Sequence, residues 1–215
     1  QEEQSIESAV RVGNESFYLE LLPSVVSSQD RKVSVVFVRD REEIIDRDAL
    51  KSFYLEGLSK KVKLAILEGS WKQFIYPEPS EDIEKISKEI CNVFFNIKGN
   101  SNYLFAVWLG KTSRVPLKFS SVNRCLDGCV LAIPDSDYVG DIVHSDITIP
   151  MLIFINEEDA KAEAWAESLC QKSKNLCEYR SFTSTEEYDE PIILKDSVRQ
   201  LLFDWIGTIS NTQLN

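Results

Sequence analysis

Tyr103–Leu109 reads Tyr-Leu-Phe-Ala-Val-Trp-Leu, seven residues without a charge and dominated by aromatic and branched side chains. A strand that is apolar on both faces needs cover on both faces. That is the position of a central strand in a parallel sheet with helices above and below. The run ends at Gly110, and Lys111-Thr112-Ser113-Arg114 follows. In many α/β proteins the chemistry gathers beyond the carboxyl end of such a strand.

The flanking segments supply the other elements. Glu15–Leu22 alternates Phe17, Leu19 and Leu21 against Tyr18 and Glu20, the pattern of a half-buried edge strand. Val33–Val38 is a β-branched run that reads as a central strand, and Val62–Leu67 is another. Between them Leu50, Phe53, Tyr54 and Leu58 recur at helical spacing. Ser80 is placed to cap a helix with Glu81, Asp82 and Glu84 in its first turn, where negative charge meets the positive end of the helix dipole. Its apolar stripe is Ile83, Ile86, Ile90, Phe94 and Ile97, and Lys98-Gly99 ends it. Thr112–Asn123 is a weak helix interrupted at Pro116. Cys129–Ile133, Met151–Ile155 and Cys177–Phe182 read as strands, and Ala160–Lys174 and Ile193–Ile209 as helices.

Strand and helix alternate with no visible linker. The pattern predicts one α/β domain over residues 15–209, a three-layer, doubly wound, mostly parallel sheet. Residues 1–14 read as a loose lead-in and 210–215 as a tail.

With 43% hydrophobic residues among 215, the chain can build a core. Its formal charge is 24 minus 35, or −11, with no basic cluster. That balance argues against nucleic acid or an anionic membrane surface as a partner. No segment approaches the roughly 20 apolar residues of a membrane span.

The five cysteines bear on the compartment. Cys125 and Cys129 flank Leu126-Asp127-Gly128, a sequence suited to a tight turn, and are expected to pair. Cys170 and Cys177 bracket a short polar helix-to-strand link and are expected to pair as well. Cys91 adjoins the apolar stripe of its helix and is expected to be a buried free thiol. Two local disulfides, and a sequence that starts at Gln1 rather than methionine, point to an exported, periplasmic protein. A cytoplasmic protein with five thiols is the alternative. One histidine and no Cys-x-x-Cys pair leave no zinc set, and no cofactor motif is present.

The order of elements, and the segment Ile147-Thr-Ile-Pro-Met-Leu-Ile-Phe-Ile-Asn-Glu-Glu-Asp-Ala, resemble the α/β-hydrolase superfamily. In that superfamily the turn after this strand supplies the catalytic acid, and Asp159 falls there. Gly13–Leu22 followed by the strand at Val33 resembles an exported bacterial α/β-hydrolase-like family of unknown function.

The expected catalytic motif is degenerate. An active member presents its nucleophile in Gly-x-Ser-x-Gly on a strained turn after the central strand. Here the corresponding residues are Gly110-Lys111-Thr112-Ser113-Arg114, with Thr112 at the nucleophile position and Arg114 where a glycine belongs. Arg114 is expected to clash with the neighbouring strand if the tight elbow is kept. The loop after the last strand, Thr183–Glu190, has no histidine, and His144 lies in an earlier loop. Without a base a hydroxyl attacks poorly near neutral pH. The loop after Val33–Val38 begins Arg39-Asp-Arg-Glu-Glu and has no glycine for an oxyanion hole.

Other constellations carry less. Gly110-Lys111-Thr112 lacks the flexible loop that a phosphate-binding motif needs before it. Asp135, Asp137, Asp141 and Asp146 form an acidic loop at no calcium spacing. Arg39–Glu43 reads as a solvated charge cluster. Trp71, Phe74 and Tyr76 are either core or an aromatic binding surface. The reading that follows is a catalytically degenerate, exported α/β-hydrolase-like domain acting as a binding or scaffold module for a protein partner or small ligand. The alternative is an esterase-like hydrolase using Thr112 or Ser113 with Asp159. A flavodoxin-like or other Rossmann-type domain is a further rival.

Overall fold

The apolar run becomes the strand at the middle of the sheet. A computed structural model describes residues 4–23, 32–55, 62–78, 82–133, 135–142, 146–173, 175–183 and 191–214. Its strands are β1 (Ile6–Val12), β2 (Glu15–Leu21), β3 (Val33–Asp40), β4 (Val62–Gly69), β5 (Tyr103–Leu109), β6 (Gly128–Ile133), β7 (Met151–Asn156) and β8 (Cys177–Phe182). Its helices are α1 (Arg47–Leu55), α2 (Lys72–Ile75), α3 (Ile83–Lys98), α4 (Arg114–Lys118), α5 (Ala160–Lys172) and α6 (Asp196–Ser210). The strands form one sheet in the order β1-β2-β4-β3-β5-β6-β7-β8. β1 and β2 are antiparallel to their neighbours, and every other pairing is parallel.

The two-residue alternation of β5 explains the layers. Leu104, Ala106 and Trp108 face one side and pack with Ile90, Phe94 and Ile97 of α3 and with Ala162, Ala166 and Leu169 of α5 in one cluster. Phe105, Val107 and Leu109 face the other, with Leu50 and Tyr54 of α1 and Leu202, Phe203 and Ile206 of α6. Burying a side chain of this size is worth roughly 1.5–3 kcal/mol, so a fully apolar strand is stable only where both faces are covered.

Several expectations are corrected by tertiary packing. Residues 6–12, expected to be a loose lead-in, form β1 and pair with β2 in register Ile6↔Leu21 to Val12↔Glu15. In the tail, Leu214 is buried in the α1/α6 layer. Asp82, not Ser80, caps α3, its carboxylate accepting from the Lys85 N–H, and Ser80 lies outside the described residues. Ile83 is exposed at the start of α3 and leaves the stripe to Ile86, Ile90, Val93, Phe94 and Ile97.

The cysteine pairing also changes. Cys170–Cys177 forms as expected, with Cα atoms 4.9 Å apart. Cys125 bonds to Cys91 instead of Cys129, across 5.6 Å between Cα atoms. The reason lies in the 126–128 link. Leu126 is extended, the Asp127 N–H donates to Leu104 O, and the Asp127 carboxylate accepts the Leu104 N–H. The link therefore runs along β5 instead of turning back, and it leaves Cys125 beside α3. Cys129 sits in β6 as a buried free thiol, and burial pushes its pKa up. No helix among the described residues is long and apolar enough to cross a membrane.

Candidate functional site

The parallel strands β4, β3 and β5 end side by side, and the loops that leave them meet. β3 and β5 are paired up to Val38↔Trp108, so the loop after Asp40 and the turn after Leu109 must share space. Gly110 turns the chain with φ +57°, the left-handed region that glycine enters without strain. A short 3₁₀ turn to Ser113 and then α4 follow. Asn211 is the only described non-glycine residue at positive φ, so neither Thr112 nor Ser113 sits on a strained turn.

This geometry moves the elbow. The left-handed residue at the strand end is Gly110, two residues before the expected nucleophile position, and it has no side chain. The volume beside it is filled from the loop after β3. A Cβ built on Gly110 would run into Oε1 and Cδ of Glu43. Glu43 Oε1 accepts a hydrogen bond from the Lys111 N–H at 3.1 Å. Burial, the main cause, raises the Glu43 pKa, and the Asp40 charge adds to it. The Lys111 N–H bond and the charges of Arg39 and Lys111 oppose the shift without cancelling it.

The loop that delivers Glu43 is tightly held. Arg39 is buried, its Nε donating to Ile45 O at 2.7 Å and its Nη2 to Glu43 O at 3.2 Å. Arg39 Nη1 also pairs with Glu68 Oε2 at 2.8 Å. Both Asp40 carboxylate oxygens are occupied, one by the Glu42 N–H and the other by the Trp71 N–H. The Glu43 N–H donates to Asp40 O, and the Arg41 N–H to Gly69 O. The expected solvated charge cluster is therefore two things: a scaffold of buried Arg39 and half-buried Asp40, and a projecting edge of Arg41 and Glu42 with Glu43 tucked beneath.

Above these strand ends lies an open cleft of about 540 Å³, within the usual range for small-molecule sites. Glu43, Lys111, Tyr138, Tyr76, Ile44 and Lys72 line it together with Arg41. Lys111 Nζ stands over the Tyr138 ring at 5.8 Å. Burial, then the charges of Glu43 and Asp135, push the Tyr138 hydroxyl up. Ile44 and Tyr76 are two of the five exposed large apolar side chains among the described residues, and both border this cleft.

The sequence-predicted residues take other places. Thr112 is fully buried, and its hydroxyl donates to Leu109 O at 2.7 Å, with Val38 O at 3.3 Å. The Ser113 hydroxyl, also buried, donates to Trp108 O at 3.1 Å. Both hydroxyls close off strand-end carbonyls and point into the backbone. Asp159 caps α5: one oxygen accepts the Ala162 N–H at 3.0 Å and the other the Ser136 N–H at 2.8 Å. Burial works to raise this carboxyl, but the N–H groups of Ala162 and Ser136 outweigh it, and its pKa lies below the ordinary aspartate value. Among the described residues, Asp159 shares no hydrogen bond with Thr112 or Ser113. His144 and residues 184–190 lie outside the described residues.

Arg114 does not clash. The elbow has moved, so its side chain has room beneath α2 and the loop after β6. It forks onto the Asp141 carboxylate, donates to Tyr138 O at 2.9 Å, and lies 5.1 Å from the centre of the Tyr76 ring. The Arg114 hydrogen bonds hold the Asp141 pKa down to about 2. Trp71 and Phe74 are fully buried, packed with each other and with Phe17 and Trp108, so a three-residue aromatic binding surface does not form. Only Tyr76 of the three is exposed. No three His, Cys, Asp or Glu side chains gather as a metal-binding set among the described residues.

No protein-family model matches the chain. No curated protein matches it either. Solved structures do. Esterase 2 of Thermogutta terrifontis, phosphorylated by paraoxon, superposes with a TM-score of 0.62 at 11% identity, covering 97% of this chain and 94% of that one. The dienelactone hydrolase of Anabaena variabilis gives 0.59 at 14%, covering 99% and 100%. A predicted CIB-like hydrolase of Thermoplasma acidophilum gives 0.56 at 9%, covering 95% and 98%. The chain has the α/β-hydrolase fold over almost its whole length. The matches also correct an expectation. Each is named as a hydrolase, and none as a binding or scaffold protein. The expectation of a catalytically degenerate binding module is therefore corrected, and the matches favour the hydrolase alternative over it.

Proposed function

We propose that this protein hydrolyses small esters in the cleft above the carboxyl ends of β3, β4 and β5. One observation carries the reading: a half-buried carboxyl, Glu43, is seated on the left-handed turn that follows the central strand, at the floor of an open cleft. In doubly wound α/β folds ligands bind at this end of the sheet. Perturbed ionisable groups in a cleft are the usual mark of a reactive site. The hydrolase names of the structural matches agree with it.

The lining suggests which esters to try first. Arg41, Lys72 and Lys111 have no carboxylate within ion-pair distance among the described residues, and they stand beside Ile44 and Tyr76. An ester with a short apolar acyl group and a negative charge fits such a lining. We also infer export to an oxidising compartment such as the periplasm, supported by the two disulfides.

The test is a panel of p-nitrophenyl and thioester substrates, with and without a carboxylate, incubated with the purified disulfide-bonded chain. Turnover above the buffer rate that saturates with substrate is expected. Rates equal to buffer across the whole panel would contradict the reading.

A further inference from the structure

We infer that Glu43 is the general base of this cleft, drawing a proton from water in place of the hydroxyl nucleophile that the elbow residue, Gly110, cannot supply. The inference rests on the hydrolase reading and deepens it by naming the reactive group.

The other described groups at the strand ends are already engaged. Thr112 and Ser113 are fully buried, and their hydroxyls are spent on main-chain carbonyls. Asp40 has an N–H on each carboxylate oxygen. Asp159 does too, at the end of β7. In Asp159 these bonds favour the charged form and make the carboxylate a weaker base. Glu42 is exposed on the projecting edge of the loop. Among the described residues at the strand ends, Glu43 alone combines three properties. It is half-buried, it lines the cleft, and one of its oxygens is free. Oε1 is fixed by the Lys111 N–H, while Oε2 has no hydrogen-bond partner among the described residues. Its loop is anchored by Arg39 and Asp40, so the carboxyl is held rather than swinging on an exposed tether.

The chemistry balances with water as the only co-reactant. Glu43 Oε2 takes a proton from a water molecule as the water oxygen bonds to the ester carbonyl carbon. The carbonyl π pair moves onto oxygen and makes a tetrahedral oxyanion, for which the Lys111 ammonium supplies positive charge. The oxyanion re-forms the carbonyl and breaks the bond to the leaving alkoxide, which takes the proton back from Glu43. Acid and alcohol leave, and the carboxylate is restored. Burial serves this cycle, since a base whose pKa lies nearer the working pH transfers protons more effectively.

The experiment uses the ester that gives the highest rate with the wild-type chain. Glu43→Gln keeps an oxygen to accept the Lys111 N–H but cannot take a proton. It is expected to lower kcat/KM by roughly 10²- to 10⁴-fold, the usual contribution of a general base. In the wild type, kcat/KM is expected to rise with pH as Glu43 ionises, with its midpoint above the ordinary glutamate value of about 4.3, and the variant should lack that limb. Ser113→Ala should keep the wild-type rate. Paraoxon should leave no covalent adduct on the chain by intact mass. Undiminished turnover in Glu43→Gln, or a phosphoryl adduct on Thr112 or Ser113, would overturn the base assignment and leave the hydrolase reading standing. A wild-type chain inert to every ester sinks the hydrolase reading itself, and the base with it.

Discussion

Two carboxylates stand at the strand ends of this sheet, and their surroundings drive them apart. Asp159, after β7, receives one main-chain N–H on each oxygen and is held ionised. Glu43, after β3, receives one N–H on one oxygen, and burial dominates it. Both sit in loops, and both are partly covered. The difference is the number of donors aimed at each. Two donors make Asp159 a clamp that joins α5 to the loop at Ser136. One donor leaves Glu43 oriented but unsatisfied, the condition in which a carboxyl can exchange protons. Position in the fold names neither role; the hydrogen-bond count does.

The sharpest way to break the contrast is Gly110→Ala. A methyl there collides with the Glu43 carboxyl, at a φ of +57° that a side chain rarely adopts. Displacement of the base is expected to cost about 100-fold or more in kcat/KM, with a stability loss of about 1–2 kcal/mol, read from ester turnover and denaturant melts. If the variant turns over esters at the wild-type rate, the carboxyl need not sit where it does.

Asp159→Ala tests the other side. It removes a helix cap and strands the Ser136 N–H, and should cost about 2 kcal/mol in urea unfolding. The rate per folded molecule should stay at the wild-type value. A large loss of rate with stability intact would return Asp159 to the catalytic role that its sequence position suggested.

The pH dependence of stability separates the two more gently. Asp159 has a lowered folded pKa, so its contribution is present above the unfolded value of about 3.9 and is lost as pH falls through the folded value. Glu43 has a raised folded pKa, so the folded state binds the extra proton. Stability therefore falls as pH rises from the unfolded value of about 4.3 through the folded one. Glu43→Gln removes that penalty and should be at least as stable as wild type at neutral pH. A carboxyl kept for structure would behave the other way. Loss of stability in Glu43→Gln would mark it as a structural group.

The sheet was legible because its signals are periodic. Tyr103–Leu109 is apolar on both faces, and α3 carries a stripe every three or four residues; neither depends on distant partners. β1 escaped notice because the exposed strand of a hairpin has no apolar face to show, and its pairing with β2 depends on a partner. Cys91–Cys125 was hidden for a similar reason. A close spacing suggested Cys125–Cys129, whereas the extended path of residues 126–128 is set by hydrogen bonds to β5. The elbow lies two residues before the position that the motif comparison gives it. The motif comparison put the nucleophile at Thr112, but the left-handed turn is at Gly110. One signal for Glu43 was present: β3 and β5 were both expected to be central strands of a parallel sheet, and the loops that leave adjacent parallel strands meet. Which of Asp40, Glu42 and Glu43 faces inward depends on the anchoring by Arg39, which no spacing reveals.

The most direct test is a ¹³C carboxyl NMR titration that follows Glu43 and Asp159 in one sample. The account predicts Glu43 titrating above the ordinary glutamate value and Asp159 below the ordinary aspartate value. Glu43 at or below its ordinary value would contradict the claim that this cleft holds a carboxyl poised to act as a base.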